Sequence, residues 1–371
     1  MRYLPLLLVI LAVAAAGCVA VRESVSPPAE ALSGNDTPHR TATATSPTTP
    51  SSSPTPTTHP STSGELSYRR DFAWTYDGDR WTWSLSIPKA AYDYYRGRAH
   101  DRESDYAQYA LSEHDRLYLK GMIDRFRETG EDRGYSEADQ IGNVVAFVQA
   151  LPYTSDAETT GYDEYPRYPL ETLVDHGGDC EDTAILAAAL LTEMGYGTVM
   201  IELPHHMAVG VRCTDACYGT YYEYRGTRYF YLETTEEGWS IGEQPPEFAK
   251  SGMATIRPMI QAPQLSMRFT ATPSSASASS VSYRVRCDIQ NIGSGTAKGA
   301  TVRIAALAIS RGDGFVWPPE ITVDVGDILE GGNASAEATV TIPRGERSRI
   351  RCLLSGSNVE PVELRSETFA T

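Results

Sequence analysis

The segment that most limits how this 371-residue chain can fold is Ala184-Ile185-Leu186-Ala187-Ala188-Ala189-Leu190-Leu191, continued by Thr192-Glu193-Met194 and stopped at Gly195. Its strong helix formers leave no polar stripe, so a helix here must be enclosed on all sides. Enclosure takes a sheet and further helices, which sets an α+β arrangement with this helix at its centre. Directly before it stands His176-Gly177-Gly178-Asp179-Cys180-Glu181-Asp182-Thr183. A cysteine after a Gly-Gly-Asp turn, in the first turn of a buried helix, sits where backbone N–H groups and the helix dipole favour a thiolate. Asp179 reads as the helix cap and Glu181 and Asp182 as dipole partners, although carboxylates beside a thiol also oppose its ionisation.

A thiol nucleophile needs a base and a group to orient that base. Of the seven histidines, His39 and His59 fall in a Ser/Thr/Pro-rich tail and His100 and His114 in an early helical region. In the strand-like run from His205, alternation sets His205 with Met207, Val209 and Val211 on a core face. His206 goes with Ala208 and Gly210 on a face open to a neighbouring helix end. His206 is the better base, while His176 caps the turn. Glu233, ending Tyr229-Phe230-Tyr231-Leu232-Glu233, shares a face with Tyr229 and Tyr231 and can hold the imidazole from an adjacent strand. An oxyanion would be met by the Cys180 N–H and one further donor, Gln149 or Tyr153.

A formal charge of −16 and the lack of any basic run exclude nucleic acid as a partner. Arg2, the apolar run Leu4 to Val13 and the small residues up to Cys18 read as a secretory leader over residues 1–18. Ala16-Gly17-Cys18 is similar to a lipoprotein processing site, with Cys18 as the lipid-bearing residue. The chain is therefore expected outside the cell, anchored to the outer face of the cytoplasmic membrane through Cys18. Residues 19–64, rich in Ser, Thr and Pro, form a tether that cannot bury a core. Export permits disulfides, which pairs Cys213 with Cys217 and Cys287 with Cys352 unless either pair stays as buried thiols. Asn35 and Asn333 each head an Asn-X-Ser/Thr acceptor pattern.

The folded part divides at a Pro-containing linker near Ala262-Pro263-Gln264, giving a domain over residues 65–262 and another over 265–371. In the first, Asp77-Gly78 predicts a hairpin turn between Phe72-Ala73-Trp74-Thr75 and Trp81-Thr82-Trp83-Ser84-Leu85. Helical stretches follow over Ala90 to Arg98, His114 to Glu128 and Ser136 to Leu151, then a tyrosine-rich loop from Tyr162 to Tyr168 suited to lie over a cleft. After the central helix come strands over Thr198 to Leu203, His206 to Cys213, Tyr218 to Tyr224 and Arg228 to Glu233. The second domain shows period-two strands: Ser280 to Gln290, Lys298 to Ser310, Ile321 to Val325, Ala336 to Ile342 and Arg349 to Leu354. They predict a small β-sandwich, and Asn291-Ile292-Gly293-Ser294-Gly295-Thr296-Ala297 resembles a strand turn of immunoglobulin-like adhesion domains.

Gly177-Gly178-Asp179-Cys180-Glu181-Asp182, Gly195-Tyr196, His206 with its strand, and Glu233-Thr234-Thr235 resemble the transglutaminase-like superfamily, in particular its archaeal exported members. The resemblance spans roughly Leu66 to Met259. It implies a papain-like, cysteine-protease-like fold with Cys180 as nucleophile, His206 as base and Glu233 in the third position. Glu233 stands where the family usually has Asp, and Ala208 where an aromatic follows the histidine. The implied activity is thiol-dependent acyl transfer, hydrolysing or transamidating a peptide or protein of the cell envelope without a cofactor. The alternative is a catalytically silent module that binds peptide or glycan at the cell surface. A metal site from Cys180, His205, His206 and carboxylates matches no zinc spacing, and the acidic loop Asp156 to Glu164 lacks the regular spacing of an EF-hand.

Overall fold

The computed structural model describes residues 66–102, 105–213, 217–249, 253–311 and 314–371. The leader, Cys18, the tether and Asn35 lie outside the described residues.

Strands β1 (Ser67–Tyr76) and β2 (Asp79–Pro88) form an antiparallel hairpin in which Tyr76 pairs with Asp79. Asp77 and Gly78 both take positive φ, 51° and 77°, the pattern a right-twisted two-residue turn requires. Helices α1 (Lys89–Arg96), α2 (Ala107–Ala110), α3 (Glu113–Asp132), α4 (Glu137–Gln149), α5 (Asp156–Thr159), α6 (Pro169–Asp175) and α7 (Cys180–Glu193) follow. Ser136 starts α4 with a reciprocal cap: its hydroxyl accepts the Asp139 N–H at 3.2 Å and Asp139 accepts the Ser136 N–H at 3.0 Å. Every residue of α7 from Glu181 to Leu191 is buried, the outcome its apolar sequence demands.

Around α7 lie Trp74, Phe126 and Phe147 from β1, α3 and α4, and on the other side a five-stranded antiparallel sheet ordered β5-β6-β4-β3-β7. Its strands are β3 (Thr198–Leu203), β4 (His206–Val211), β5 (Tyr221–Tyr224), β6 (Thr227–Leu232) and β7 (Thr255–Pro258). The helix packs on Met200, Met207, Val209, Val211 and Leu232. Ala208, Val199, Ile201, Tyr222 and Tyr231 fill a separate core on the opposite face. This reverses the expected placement of the helix end on the His206 face. His205 is not in a strand either: at φ 61° it occupies the tight turn between Leu203 and His206.

The C-terminal part consists of two sheets around one core. One is β12-β9-β8; the other is β11-β10-β13-β14, with β15 on β13. Their strands are β8 (Leu265–Ala276), β9 (Ser280–Asn291), β10 (Ala297–Ala308), β11 (Val316–Ile328), β12 (Asn333–Pro343), β13 (Arg347–Gly356), β14 (Val359–Arg365) and β15 (Phe369–Ala370). The protein is thus α+β. Cys213 and Cys217 are joined by a disulfide. Cys287 and Cys352 are not joined: they are buried free thiols, hydrogen-bonded to each other between β9 and β13.

Gln108 of α2 connects the two parts. Its amide donates to Ile260 O at 2.9 Å, and its carbonyl accepts from Ala262 N and Ser294 Oγ at 2.9 and 2.7 Å. A Cβ on Gly293 would come within 2.4 Å of the Ala262 carbonyl oxygen, so the Asn291 to Ala297 turn docks closely against the linker. Among the described residues no helix is long and apolar enough to cross a membrane.

Candidate active site

The turn before α7 is dictated by close packing. Gly177 has φ 152°, and a Cβ there would lie 2.4 Å from the Pro152 carbonyl oxygen. Gly178 donates to that oxygen at 3.3 Å and its own carbonyl accepts the Thr154 N–H at 2.9 Å. The 152–156 segment is therefore laid against residues 178–181. Cys180 opens α7, partly buried, with Sγ 3.4 Å from Glu181 Oε2. Burial pushes its thiol pKa well up, and the charges of Glu181 and Asp179 push further. The Met207 backbone N–H acts the other way. Burial first, and then the flanking carboxylates, thus oppose the thiolate that the sequence argues for.

His206, the residue before Met207, is buried, with its ring stacked on Phe248 at 3.8 Å. Its Nε2 lies 2.9 Å from Glu233 Oε2. Glu233 is 1% exposed. The Tyr231 hydroxyl donates to Oε2 at 2.8 Å; the Thr234 N–H, Thr235 N–H and Thr235 hydroxyl donate to Oε1 at 3.0, 3.1 and 2.8 Å. Burial pushes the carboxyl pKa up, but His206, Thr235 and Tyr231 outweigh it and bring it down to about 2. With Nε2 committed to Glu233, Nδ1 is the nitrogen left to exchange a proton. Thr183 of α7 meets Thr234 at 3.0 Å between their hydroxyls, tying the cysteine helix to the Glu233 turn. Among the described residues Cys180 and His206 share no direct hydrogen bond.

Of the two oxyanion candidates, Gln149 is spent. Its Nε2 donates to the carbonyls of Glu233 and Trp239, both at 2.9 Å, and its Oε1 accepts the Gly238 N–H. It braces the Glu233 backbone and cannot also face a substrate. Tyr153 is 61% exposed and bridges Gly178. Burial first, then the charge of Cys180, raises its phenol to about 12, so it keeps its proton at neutral pH. His176 closes α6 in the left-handed region with its ring against Phe72.

Several site residues escape a sequence reading. Tyr231 carried a signal, since it precedes Glu233 by two on one strand face; Phe248 carried none. Arg167 is fully buried, donating to Asp156 at 2.7 Å, Asp175 at 3.0 Å and, more closely, Asp182. The Tyr162 to Tyr168 loop turns Tyr165, Arg167 and Tyr168 inward, with Tyr162 left exposed. Among the described residues, the group able to hold a metal is Asp156, Asp179 and Glu181; His205 and His206 take no part in it. Beyond the Glu233 turn an open surface depression is lined by Glu236, Glu237, Trp239 and Glu243 among others.

No family model matches the chain, and no curated protein matches it. Solved structures give faint likenesses. An ApaA protein from Bordetella pertussis is 16% identical, with a TM-score of 0.21, over 30% of this chain and 94% of that one. A CARDB domain from Pyrococcus furiosus, solved with two metal ions, is 13% identical, with a TM-score of 0.19, over 28% and 86%. A β-glucuronidase from Bacteroides uniformis is 10% identical, with a TM-score of 0.24, over 47% and 23%. Likenesses at this level establish neither a shared fold nor a shared function.

Proposed function

We propose that this protein is a thiol-dependent acyl-transfer enzyme of the transglutaminase-like type, working outside the cell on a peptide or protein carbonyl. The observation that carries the reading is the His206 Nε2 to Glu233 Oε2 contact of 2.9 Å, made at the strand end whose next amide reaches the Cys180 sulfur. His206 takes the thiol proton as sulfur bonds to the carbonyl carbon. The resulting oxyanion is met by the Cys180 N–H and the Tyr153 hydroxyl. The C–N bond then breaks, and the amine leaves with the proton returned by the imidazolium. Water or a second amine adds to the thioester and releases Cys180 with its proton. Glu233 keeps the imidazole oriented and offsets its positive charge. The two-sheet C-terminal part, read as an immunoglobulin-like sandwich, carries no catalytic set and suits spacing or presentation. The leader-like start and Cys18 are the sequence features that support a cell-surface location.

One observation favours the silent binding module: the thiol faces Glu181 rather than His206. Alkylation by iodoacetamide at neutral pH separates the readings, with buried Cys287 and Cys352 as internal references. The enzyme reading expects Cys180 to react at least about tenfold faster than in His206→Ala. Equal rates, or no reaction before unfolding, would support the silent module.

A further inference from the structure

We infer that Asp156, Asp179 and Glu181 form a binding site for a hard divalent cation of calcium size, built against the cysteine turn. One carboxylate oxygen from each residue lies within 4.8 Å of the other two. Oxygens on opposite sides of one calcium ion, each at 2.3–2.6 Å, stand about 5 Å apart, so a single ion can touch all three. An oxygen-only set suits a hard cation, and magnesium's shorter bonds and strict octahedron fit it less well.

The unmet bonding of the site points to an ion independently of its charge. Glu181 is 4% exposed, yet its Oε1 has no hydrogen-bond partner, and Asp179 Oδ1 is likewise buried without one. Buried acceptors normally find a donor; among the described residues no N–H or hydroxyl reaches these two oxygens, and the two carboxyl groups are left facing each other. Arg167, whose charge reaches Asp179, is already shared among Asp156, Asp175 and Asp182. Among the described residues no salt bridge reaches Asp179 or Glu181. Glu164 and Asp182 add further negative charge close by.

The three ligands come from two places in the chain. Asp156 arrives because Gly177 lets Pro152 approach and the Thr154 N–H bonds to Gly178 O at 2.9 Å. Asp179 and Glu181 flank Cys180. The acidic loop after Asp156 contributes no further member of this set. A proton shared between Asp179 and Glu181 is the rival way to satisfy the same oxygens, and it makes the opposite prediction about metal.

The inference stands apart from the acyl-transfer reading, and its test reads binding alone. The full chain, stripped with EDTA, is titrated with calcium chloride by calorimetry and melted with and without the ion. One saturable site per chain and a raised melting temperature are expected. Glu181→Gln and Asp179→Asn should each weaken binding at least about tenfold, because fewer charged ligands remain. Absence of saturable binding in the wild type, or binding unchanged in both variants, would overturn the site. Should both variants misfold, tyrosine-sensitised terbium emission from the wild type decides: emission displaced by calcium supports the site, and its absence refutes it.

Discussion

Glu233 is ionised in the fold because every group aimed at its carboxyl oxygens is a donor: His206, Tyr231, Thr235 and two backbone amides. A folded pKa of about 2 against an ordinary 4.5 has a definite sign. The stabilisation is fully present above pH 4.5 and is lost as pH falls toward 2. It amounts to roughly 3 kcal/mol. Glu233→Gln should lower stability at pH 7 and lose less between pH 5 and 2 than the wild type; urea unfolding at the two ends of that range measures both. A slope as steep as wild type would place the acid sensitivity elsewhere. At this scale strand order was readable for His206 and Glu233, which do meet at 2.9 Å. The sequence was not readable for Gln149, whose amide looked free and is committed to the backbone of the Glu233 turn, nor for His205, whose turn conformation hides from strand alternation.

At the scale of elements, what could be read from sequence follows how much of each element is inside. The hairpin at Asp77-Gly78 and helix α7 were legible, one from local turn chemistry and the other from an unbroken apolar run. Three of the strands that gave no clear signal, β7, β8 and β14, are each at a sheet edge. Edge strands tolerate Pro258, Pro273 and Pro361 and small polar residues, which erase the alternating pattern. The packing of the 152–156 segment on the cysteine turn was also invisible, since it depends on two glycines meeting a distant carbonyl. Gly177→Ala tests it: its Cβ would strike the Pro152 oxygen as well as strain φ. The cost should exceed that of Gly134→Ala, where φ is 74° with nothing within 4 Å and about 1–2 kcal/mol is expected. Equal thermal shifts for the two would mean that the close approach to Pro152 contributes nothing.

For the whole molecule, the two cores meet at Gln108, Tyr168 and Arg98, whose side chains bond to the Ile260 to Ser294 region. Composition marks a linker there, but the polar residues that fasten it are buried singletons, Arg98 just past α1, Gln108 in α2 and Tyr168 just before α6, which no periodicity reveals. The reduced Cys287 and Cys352 show the same limit, because spacing brings two cysteines into one core without fixing their bond. The proposed acyl transfer needs the helix, the strand end and the Glu233 turn to act together around Cys180. Intact-mass analysis after mixing the full chain with a 4-nitrophenyl ester reads that joint action directly. Accumulation of one acyl group on Cys180, absent in Cys180→Ala and formed about 10²-fold or more slowly in His206→Ala, is the predicted result. An unacylated Cys180 in the folded wild type would contradict it.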